Sequence, residues 1–298
     1  MLLRGAGLQD TWSIMEVFTV DAFTDRPFSG NPAAVCIVRE QHAGKMDDAK
    51  MQAIAAEMNL SETAFLTPDG DSNFEDGSSF KLRWFTPQCE VSLCGHATLA
   101  TAAAVFHALG NPNEQLRFQT KSGLLSASRD GDIITLDFPL NPCIPEEPSP
   151  LQELIKLTVG GLPLADVQYS TPTGKLLLRL SDATSKSELE ALNPDTSAML
   201  GAHKGKIKGV IVTVKGSGDY DFFSRYFGPW VGIPEDPVTG AAHTVLASYW
   251  SSELGKSEML ARQCSKRGGD VRVTVGRQPG RVYLAGKAFI VMKGKLYL

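Results

Sequence analysis

Apolar residues recur along the chain with two different periods, which together predict short strands and a few helices. The runs EVFTVDAF (16–23) and FSGNPAAVCIV (28–38) are rich in Val and Phe. They predict two neighbouring strands, with a Gly-Asn-Pro turn (30–32) between the runs. Residues 47–58 place apolar side chains at helical spacing behind an acidic first turn, so they predict an amphipathic helix. The segment NLSETAF (59–65) then returns to the pattern of a strand.

The most informative pattern is a repeat whose parts recur in the same order later in the chain. RWFTP (83–87) returns as RYFGP (225–229). In each copy an acidic residue follows, then a glycine that begins an apolar helix, and a second glycine fifteen residues further on ends that helix. Two unrelated helices that happen to end in glycine would not share this order. The acidic residues and glycines are Glu90, Gly95 and Gly110 in the first copy, and Glu235, Gly240 and Gly255 in the second.

The helix that begins at Gly95 is apolar on almost every side, which is typical of a helix buried all round. A wholly apolar helix among short mixed strands predicts a sheet curled around a central helix. Because the pattern occurs twice, the sequence predicts an α/β (α+β) fold with two pseudo-symmetric halves, each with a mixed sheet wrapped around one helix. If the halves face each other, the two glycine-led helix N-termini converge on one cleft, where free amides favour an anion.

Proline and the repeat define the expected domain boundaries. PCIPEEPSP (142–150) is dense in proline and is the natural linker between the halves. We expect an N-terminal extension at 1–14, a first half at 15–141 and a second half at 151–298. The sequence leaves open whether the C-terminal strand, 288–298, closes its own half or crosses to the first.

Composition and charge exclude several classes of function. Apolar residues make up 43% of the 298 residues and the net charge is -4, so the chain is globular and carries no basic excess for nucleic acid or an anionic membrane. No stretch is long and apolar enough to predict a membrane span or a secretory signal. Few, scattered cysteines indicate a reducing compartment, and the cytoplasm is the expected location. The five are Cys36, Cys89, Cys94, Cys143 and Cys264.

Four motifs in this order resemble the phenazine biosynthesis (PhzF-like) family. They are DAFTDRPFSGNPAAV, MNLSETAF, RWFTPQCEVSLCGHATLA and EDPVTGAA, and SKRGGD near the C-terminus also fits. The resemblance covers nearly the whole chain. It implies a diaminopimelate-epimerase-like fold, in agreement with the repeat, and a homodimer that uses neither a metal nor an organic cofactor. It also implies proton transfer at carbon by a carboxylic acid placed between the halves.

By this resemblance Glu62, in NLSETAF, is the catalytic acid/base. A glutamate just past a helix and flanked by Leu60, Ala64 and Phe65 can be partly desolvated, which raises its pKa towards the working pH. One carboxyl group can then take a proton from one carbon and return it to another. The alternative interpretation is that Glu62 caps or solvates a turn.

The resemblance also implies the residues that hold the substrate. His96 would hydrogen-bond a polar group of the substrate, and Asp236 would orient it. Gly95 and Gly240 would supply backbone donors for its carboxylate. From the sequence alone, a lone histidine is more often structural, and an aspartate beside a proline is typical of a turn.

Two positions depart from the family pattern. Cys94 stands where well-known bacterial members have a small residue. A thiol at a helix N-terminus is expected to have a lowered pKa, so Cys94 is a candidate for a secondary acid/base. Ala241 stands where the phenazine enzymes have a serine, and His243, one helical turn later, is a candidate to replace it. Cys89, Cys94 and His96 resemble a partial zinc site, but their spacing is unusual and no fourth ligand is assigned, so no metal is expected.

The sequence thus predicts a cofactor-independent isomerase or epimerase-like enzyme that acts on a small carboxylic acid. The alternative is a non-catalytic protein with the same fold, for protein interaction or metabolite binding. A third hypothesis is a racemase that uses Cys94. The substrate cannot be named from these residues.

Overall fold

Each half of the chain forms a mixed sheet around one helix, in the computed structural model that describes residues 13–70 and 72–298. The expected extension, 1–14, falls almost entirely outside the described residues. The first half contains α1 (Glu40–Ala43), α2 (Asp48–Met58) and α3 (Gly95–Ala103). Its strands are β1 (Ile14–Ala22), β2 (Asn31–Ile37), β3 (Glu62–Pro68), β4 (Ser79–Phe85), β5 (Glu90–Val91), β6 (Gln115–Thr120), β7 (Gly123–Asp130) and β8 (Ile133–Pro139).

The second half repeats this arrangement. Its helices are α4 (Gln152–Val159), α5 (Lys186–Ala191), α6 (Thr196–Ala202) and α7 (Gly240–Leu254). Its strands are β9 (Ile144–Pro145), β10 (Leu164–Ser170), β11 (Lys175–Leu180), β12 (Gly209–Lys215), β13 (Phe222–Phe227), β14 (Glu258–Gln263), β15 (Gly269–Val275) and β16 (Arg281–Gly286), and β17 (Ala288–Tyr297) follows. Part of the expected linker is therefore not a loop, because β9 pairs with β10.

The strand pairings confirm that the halves are pseudo-symmetric. In the first half, β1 to β4 and β6 to β8 pair in turn as antiparallel, parallel, antiparallel, parallel, antiparallel and antiparallel. In the second, β10 to β16 follow the same series. Antiparallel pairing of β8 with β16 joins the two sheets. The question of the C-terminal strand is answered by β17, which crosses to the first half and pairs with β1.

The two central helices are buried, as their composition predicts. All side chains of α3 from His96 to Ala103 are buried, and α7 is buried over most of its length. α3 continues as a π-helical segment (Ala104–Ala108) that ends shortly before Gly110, whereas α7 ends directly at Gly255. Both glycines have a positive φ, 71° and 63°, where an L side chain would be strained. Apolar packing against these helices forms the main core, while a second cluster lies between the sheet of the second half and α4 to α6.

The repeat also preserves an ion pair with the same geometry in each half. Arg83 donates two hydrogen bonds to Glu90, of 2.7 and 2.8 Å, and Arg225 donates two to Glu235 of the same lengths. Such bidentate pairs have a fixed orientation. Each pair ties the end of a strand, β4 or β13, to the segment that leads into the central helix. The repeated residues therefore position the two helix N-termini.

Candidate functional site

The N-termini of the two central helices meet at the junction of the halves. A Cβ built on Gly95 would lie 3.4 Å from the Cα of Gly240, and the reverse distance is the same. A side chain added at either position would therefore be in direct contact with the other helix, and two glycines leave this contact to the backbone. The first amides of a helix have no acceptor within that helix, and the helix dipole is positive there. The junction therefore concentrates hydrogen-bond donors of a kind suited to a carboxylate.

Glu62 lies at this junction, on the first residue of β3, and is buried. Burial raises the pKa of its carboxyl group to about 7, and the nearby charge of Asp236 acts in the same direction, while hydrogen bonds from Ser61 and Cys94 oppose the shift. Its Oε2 atom has no hydrogen-bond partner among the described residues. A carboxyl group with a pKa near neutrality and an unused oxygen can both accept and donate a proton.

His96 and Cys94 surround Glu62. The Nε2 atom of His96 lies 3.2 Å from Oε2 of Glu62, and its Nδ1 atom lies 3.4 Å from the Sγ atom of Cys94. Burial lowers the pKa of His96 to about 3, so the imidazole is neutral at pH 7. The residue predicted to contact substrate is therefore a neutral donor or acceptor rather than a cation.

The expected lowering of the Cys94 pKa is wrong. Burial raises the pKa of this thiol well above its usual value, and the charges of Glu62 and Asp236 raise it further. The amide of Ala97 in the first turn of α3 opposes this shift but is outweighed. At neutral pH, Cys94 is a thiol beside an acid, and not a thiolate.

Glu62, Cys94 and His96 also place one potential metal ligand atom each within 4.8 Å of one another. Both ring nitrogens of His96 lie next to another member of the cluster. We therefore describe the three side chains as one polar cluster, in which Nε2 of His96 faces Oε2 of Glu62.

Asp236 reaches the same site from the second half. It is buried, and its carboxylate accepts hydrogen bonds from the Asn31 amide at 2.8 Å and the Thr239 hydroxyl at 2.6 Å. Burial raises the pKa of Asp236 to about 6, although both hydrogen bonds act in the other direction. Gln263 donates to the backbone carbonyl of Asp236 and so fixes the loop before α7. Glu62, His96, Asp236, Gly95 and Gly240 thus converge.

His243 does not take the position expected of a replacement for the serine. Its ring is fully buried, its Nδ1 atom lies 2.8 Å from the carbonyl oxygen of Thr239, and it packs 6.2 Å from the ring of Phe222. Burial lowers its pKa to about 4. We find it within the second half, against β13, while Ala241 is exposed.

Asn31 is a residue of the candidate site that the sequence pattern did not identify. It was expected only as part of a turn, yet its amide bridges the halves. Arg267, in SKRGGD, holds this turn by donating to the backbone carbonyls of Gly30 at 2.8 Å and Ser29 at 2.9 Å, and to Asp21 at 2.7 Å. The only signal in the sequence was that Asn31 and Arg267 each lie in a motif of the family. Their contacts with Asp236 and Gly30 join residues more than 200 positions apart, which the sequence does not reveal.

Comparison with known proteins agrees with this arrangement. The sequence model of a family described as phenazine biosynthesis-like protein (PhzC-PhzF) matches residues 20–294. The chain belongs to this family. A phenazine biosynthesis-like domain-containing protein of Rattus norvegicus is 51% identical over 95% of the chain and 99% of its own length. A protein of Pseudomonas aeruginosa named an uncharacterized isomerase is 44% identical over 95% of the chain and 99% of its own length.

Solved structures place the PhzC-PhzF fold among epimerases and isomerases. A PhzF family protein of Enterococcus faecalis superimposes with a TM-score of 0.82 at 37% identity, over 96% of this chain and 100% of that one. A hydroxyproline epimerase of Agrobacterium vitis has the same fold, with a TM-score of 0.54 at 15% identity over 96% of this chain and 93% of that one. The expected diaminopimelate-epimerase-like fold class is confirmed. Within the described residues, no helix has the length and apolar character needed to cross a membrane.

Proposed function

We propose that the protein is a cofactor-independent isomerase that moves a proton between carbons of a small carboxylic acid. The observation that carries the proposal is the buried Glu62, whose pKa is about 7 and whose Oε2 atom is unpartnered among the described residues, beside the paired helix N-termini. The isomerase name of the Pseudomonas aeruginosa relative and the epimerase fold of distant structures support the same class of reaction.

In the proposed reaction the ionised Glu62 removes a proton from a carbon of the bound acid. The electron pair of the broken C–H bond delocalises towards the substrate carboxylate, and the amides near Gly95 and Gly240 stabilise the negative charge. A C=C bond of the substrate conjugated with this carbon shifts by one position, and the carboxylic acid formed on Glu62 donates the proton to the carbon that the double bond leaves. No atom is gained or lost, and Glu62 returns to its starting state.

His96 and Asp236 orient the substrate in this proposal. The neutral imidazole of His96 can hydrogen-bond a substrate group without neutralising Glu62. Asp236 belongs to the other half, so the substrate would contact both halves at once. We further propose a reducing, cytoplasmic environment, because all five cysteines are free, and a homodimeric assembly. Cys94 remains a candidate second proton carrier, which its replacement by alanine would test.

Solvent deuterium incorporation tests the proposal even though the substrate is not identified. A metabolite extract is incubated in heavy water with the native protein, with Glu62→Gln or with Glu57→Gln, and ions that gain one mass unit are identified by mass spectrometry. Glu57 is an exposed residue on α2 and is the matched control. We expect exchange with the native protein and with Glu57→Gln, and none with Glu62→Gln.

The alternative function, a non-catalytic interaction or metabolite-binding protein, makes the opposite prediction. In that case no metabolite gains deuterium with the native protein. Exchange that persists in Glu62→Gln would also rule out the assigned role of this residue. Because Gln preserves the shape of Glu, loss of ligand binding together with turnover would indicate a structural role instead.

A further inference from the structure

A polar cluster on the inner face of the second half has no assigned role. Lys175 begins β11, and it is paired in register with Gly209, which begins β12. A Cβ built on Gly209 would lie 2.1 Å from the hydroxyl oxygen of Tyr226 on β13. The glycine therefore leaves the space that the Tyr226 hydroxyl occupies. The Nζ atom of Lys175 lies 5.6 Å from the centre of the same ring.

Pseudo-symmetry relates this cluster to Glu62. Phe85 of RWF pairs with Thr63, and Phe227 of RYF pairs with Val210. The residue before each partner is Glu62 in the first half and Gly209 in the second, so these two positions correspond.

The neighbouring strand extends the correspondence. Glu62 pairs with Ala33, and Gly209 pairs with Lys175. In the first half, Glu62 places a carboxyl group beside the N-terminus of the central helix. In the second half, Gly209 takes the position of Glu62, and Lys175 on the neighbouring strand supplies an ammonium group instead. The charge of Asp236 acts on Lys175 and Tyr226 as well as on Glu62, so the Lys175 cluster lies near the same junction.

The ammonium group of Lys175 has few partners for a buried charge. The residue is 8% exposed, and its one hydrogen bond within the described residues is a long one of 3.4 Å to the carbonyl oxygen of Thr173. No carboxylate lies within 4 Å of its Nζ atom in residues 13–70 and 72–298. Burial of a cation without such partners is costly. The arrangement leaves two N–H donors of the ammonium group available to a ligand.

Electrostatics places Lys175 in the field of the candidate site. Burial lowers its pKa to about 8, and the charge of Asp236 opposes that shift. The group is therefore mostly protonated at pH 7. Asp236 acts on Lys175 through its charge and not as a direct ion-pair partner, because no oxygen of that carboxylate lies within 4 Å of the Nζ atom among the described residues.

Tyr226 complements the ammonium group. Its hydroxyl has no hydrogen-bond partner among the residues that the structure describes, and burial, together with the charge of Asp236, raises its pKa. The phenol thus stays neutral and can donate a hydrogen bond. The ammonium lies over the ring of Tyr226, so the two side chains together supply donors that one carboxylate can accept.

We propose that Lys175 and Tyr226 bind a second carboxylate of the substrate, so that the protein acts on a small dicarboxylic acid. This inference rests on the proposed function for the reaction, in which the first carboxylate lies at the helix N-termini. Lys175 binds and orients in this scheme, and Glu62 alone transfers the proton. A monocarboxylic acid of the same size would leave the Lys175 ammonium unpaired.

Two simple acids of matched structure test the second subsite. Itaconate and methacrylate share an unsaturated carboxylic acid, but only itaconate carries a second carboxylate. Their affinities are measured by ligand-observed NMR titration of the full chain. We expect the native protein to prefer itaconate by roughly 10- to 100-fold, the range for hydrogen bonds to a charged group.

The variants assign that preference to the ammonium group. Lys175→Met should abolish it, whereas Lys175→Arg should retain most of it because the guanidinium still binds a carboxylate. Lys81 is an exposed residue of β4, and Lys81→Met is the matched control. This variant should prefer itaconate as strongly as the native protein does. Equal affinities for the two acids, absence of itaconate binding, or a preference that survives in Lys175→Met would overturn the proposal.

The binding experiment tests the dicarboxylate subsite and the exchange experiment tests the isomerase, so one proposal can be refuted without the other. Glu62→Gln should keep the preference for itaconate although it loses deuterium exchange. A preference without any exchange in the native protein would refute the proposed isomerase and leave the dicarboxylate subsite standing. Exchange confined to monocarboxylic acids would support the isomerase and refute the subsite.

Discussion

Asn31 of the first half donates a 2.8 Å hydrogen bond to Asp236 of the second, and both side chains are buried. The same amide group also donates to the carbonyl oxygen of Val238 at 2.9 Å, and the Asn31 carbonyl accepts from Ser61, the neighbour of Glu62. A single amide therefore connects the proposed acid/base with the proposed orienting residue. The candidate site depends on the relative position of the two halves, and the hydrogen bond from Asn31 to Asp236 helps to fix that position.

Removal of this amide should affect both stability and activity. Asn31→Ala deletes a hydrogen bond to a buried carboxylate, so we expect a loss of about 2 kcal/mol in the free energy of unfolding, measured with urea. The pKa of Asp236 should rise further, and the rate of deuterium exchange should fall at least 10-fold.

Asn111→Ala is the matched control for this prediction. Asn111 is equally buried and donates to the carbonyl oxygens of Phe74 and Gly77, but it lies beyond the opposite end of α3 from Gly95. We expect a similar loss of stability with near-native exchange per folded molecule. Equal loss of exchange in both variants would show that Asn31 acts only through stability.

Glu62→Gln should make the protein more stable at neutral and alkaline pH. The pKa of Glu62 is about 7 when folded and 4.5 in the reference state, so the folded protein favours the protonated form. The favourable contribution of that form is complete below pH 4.5 and is lost as the pH rises to 7. At pH 8 the variant should be more stable than the native protein by about 3 kcal/mol.

Urea unfolding at pH 4.5 and pH 8 measures the change. The two proteins should be nearly equal at the lower pH, and Glu57→Gln should follow the native protein at both. A constant difference across this range would mean that Glu62 is not buried as a neutral acid in the folded state.

The exchange reaction should have a narrow, bell-shaped pH profile. The ratio kcat/KM should rise with an apparent pKa near 7, because Glu62 must be ionised to remove the first proton. Asp236, with a pKa of about 6, lies close to Glu62, so the acid limb reports the pair of carboxyl groups. Above pH 8 the ratio should fall as Lys175 loses its proton.

The alkaline limb distinguishes Lys175 from other groups. In Lys175→Arg the ratio kcat/KM should no longer fall between pH 8 and pH 9, since a guanidinium stays protonated. His96 is neutral throughout this range and should contribute to neither limb. An unchanged alkaline limb in Lys175→Arg would assign it to another residue.

Cys94 should react slowly with alkylating agents, although a thiol at a helix N-terminus is usually reactive. It is buried and its pKa is raised, whereas Cys89 is exposed. In native protein at pH 7.5, mass spectrometry should find iodoacetamide on Cys89 well before Cys94. A Cys94→Ala variant that exchanges deuterium at the native rate would end the hypothesis of a secondary acid/base, and rapid alkylation that bound substrate prevents would support it.

The repeated arginine pairs should differ in their contribution to stability. Arg225 is nearly buried, and besides Glu235 it donates to backbone carbonyls at the end of α5, including Leu189 and Leu192. Arg83 is 30% exposed at its side chain. Arg225→Met should cost about 3 kcal/mol, because the backbone carbonyls at the end of α5 lose their donor together with Glu235. Arg83→Met should cost about 1 kcal/mol in urea unfolding, because Arg83 is more exposed and Glu90 keeps Lys121 as a partner. Equal costs would mean that burial does not distinguish the two pairs.

The sequence predicted those features that repeat or that have a local pattern. The repeat located both central helices and the convergence of Gly95 with Gly240, and the motif NLSETAF marked Glu62. Lys175 was not recognised, since a lysine at the start of an apolar strand is ordinary, and its burial depends on how β11 and β13 pack around α7. The direction of the Cys94 pKa likewise depends on packing and on carboxylates distant in sequence.

Because β17 pairs with β1, the first half cannot complete its sheet until the end of the chain has been synthesised. β1 ends at Ala22, and the strand that covers its outer edge begins at Ala288. Until the ribosome has produced β17, the nascent first half exposes an open strand edge to other chains. The two halves resemble each other but cannot be completed one after the other, so the nascent chain needs protection for almost the whole of its translation.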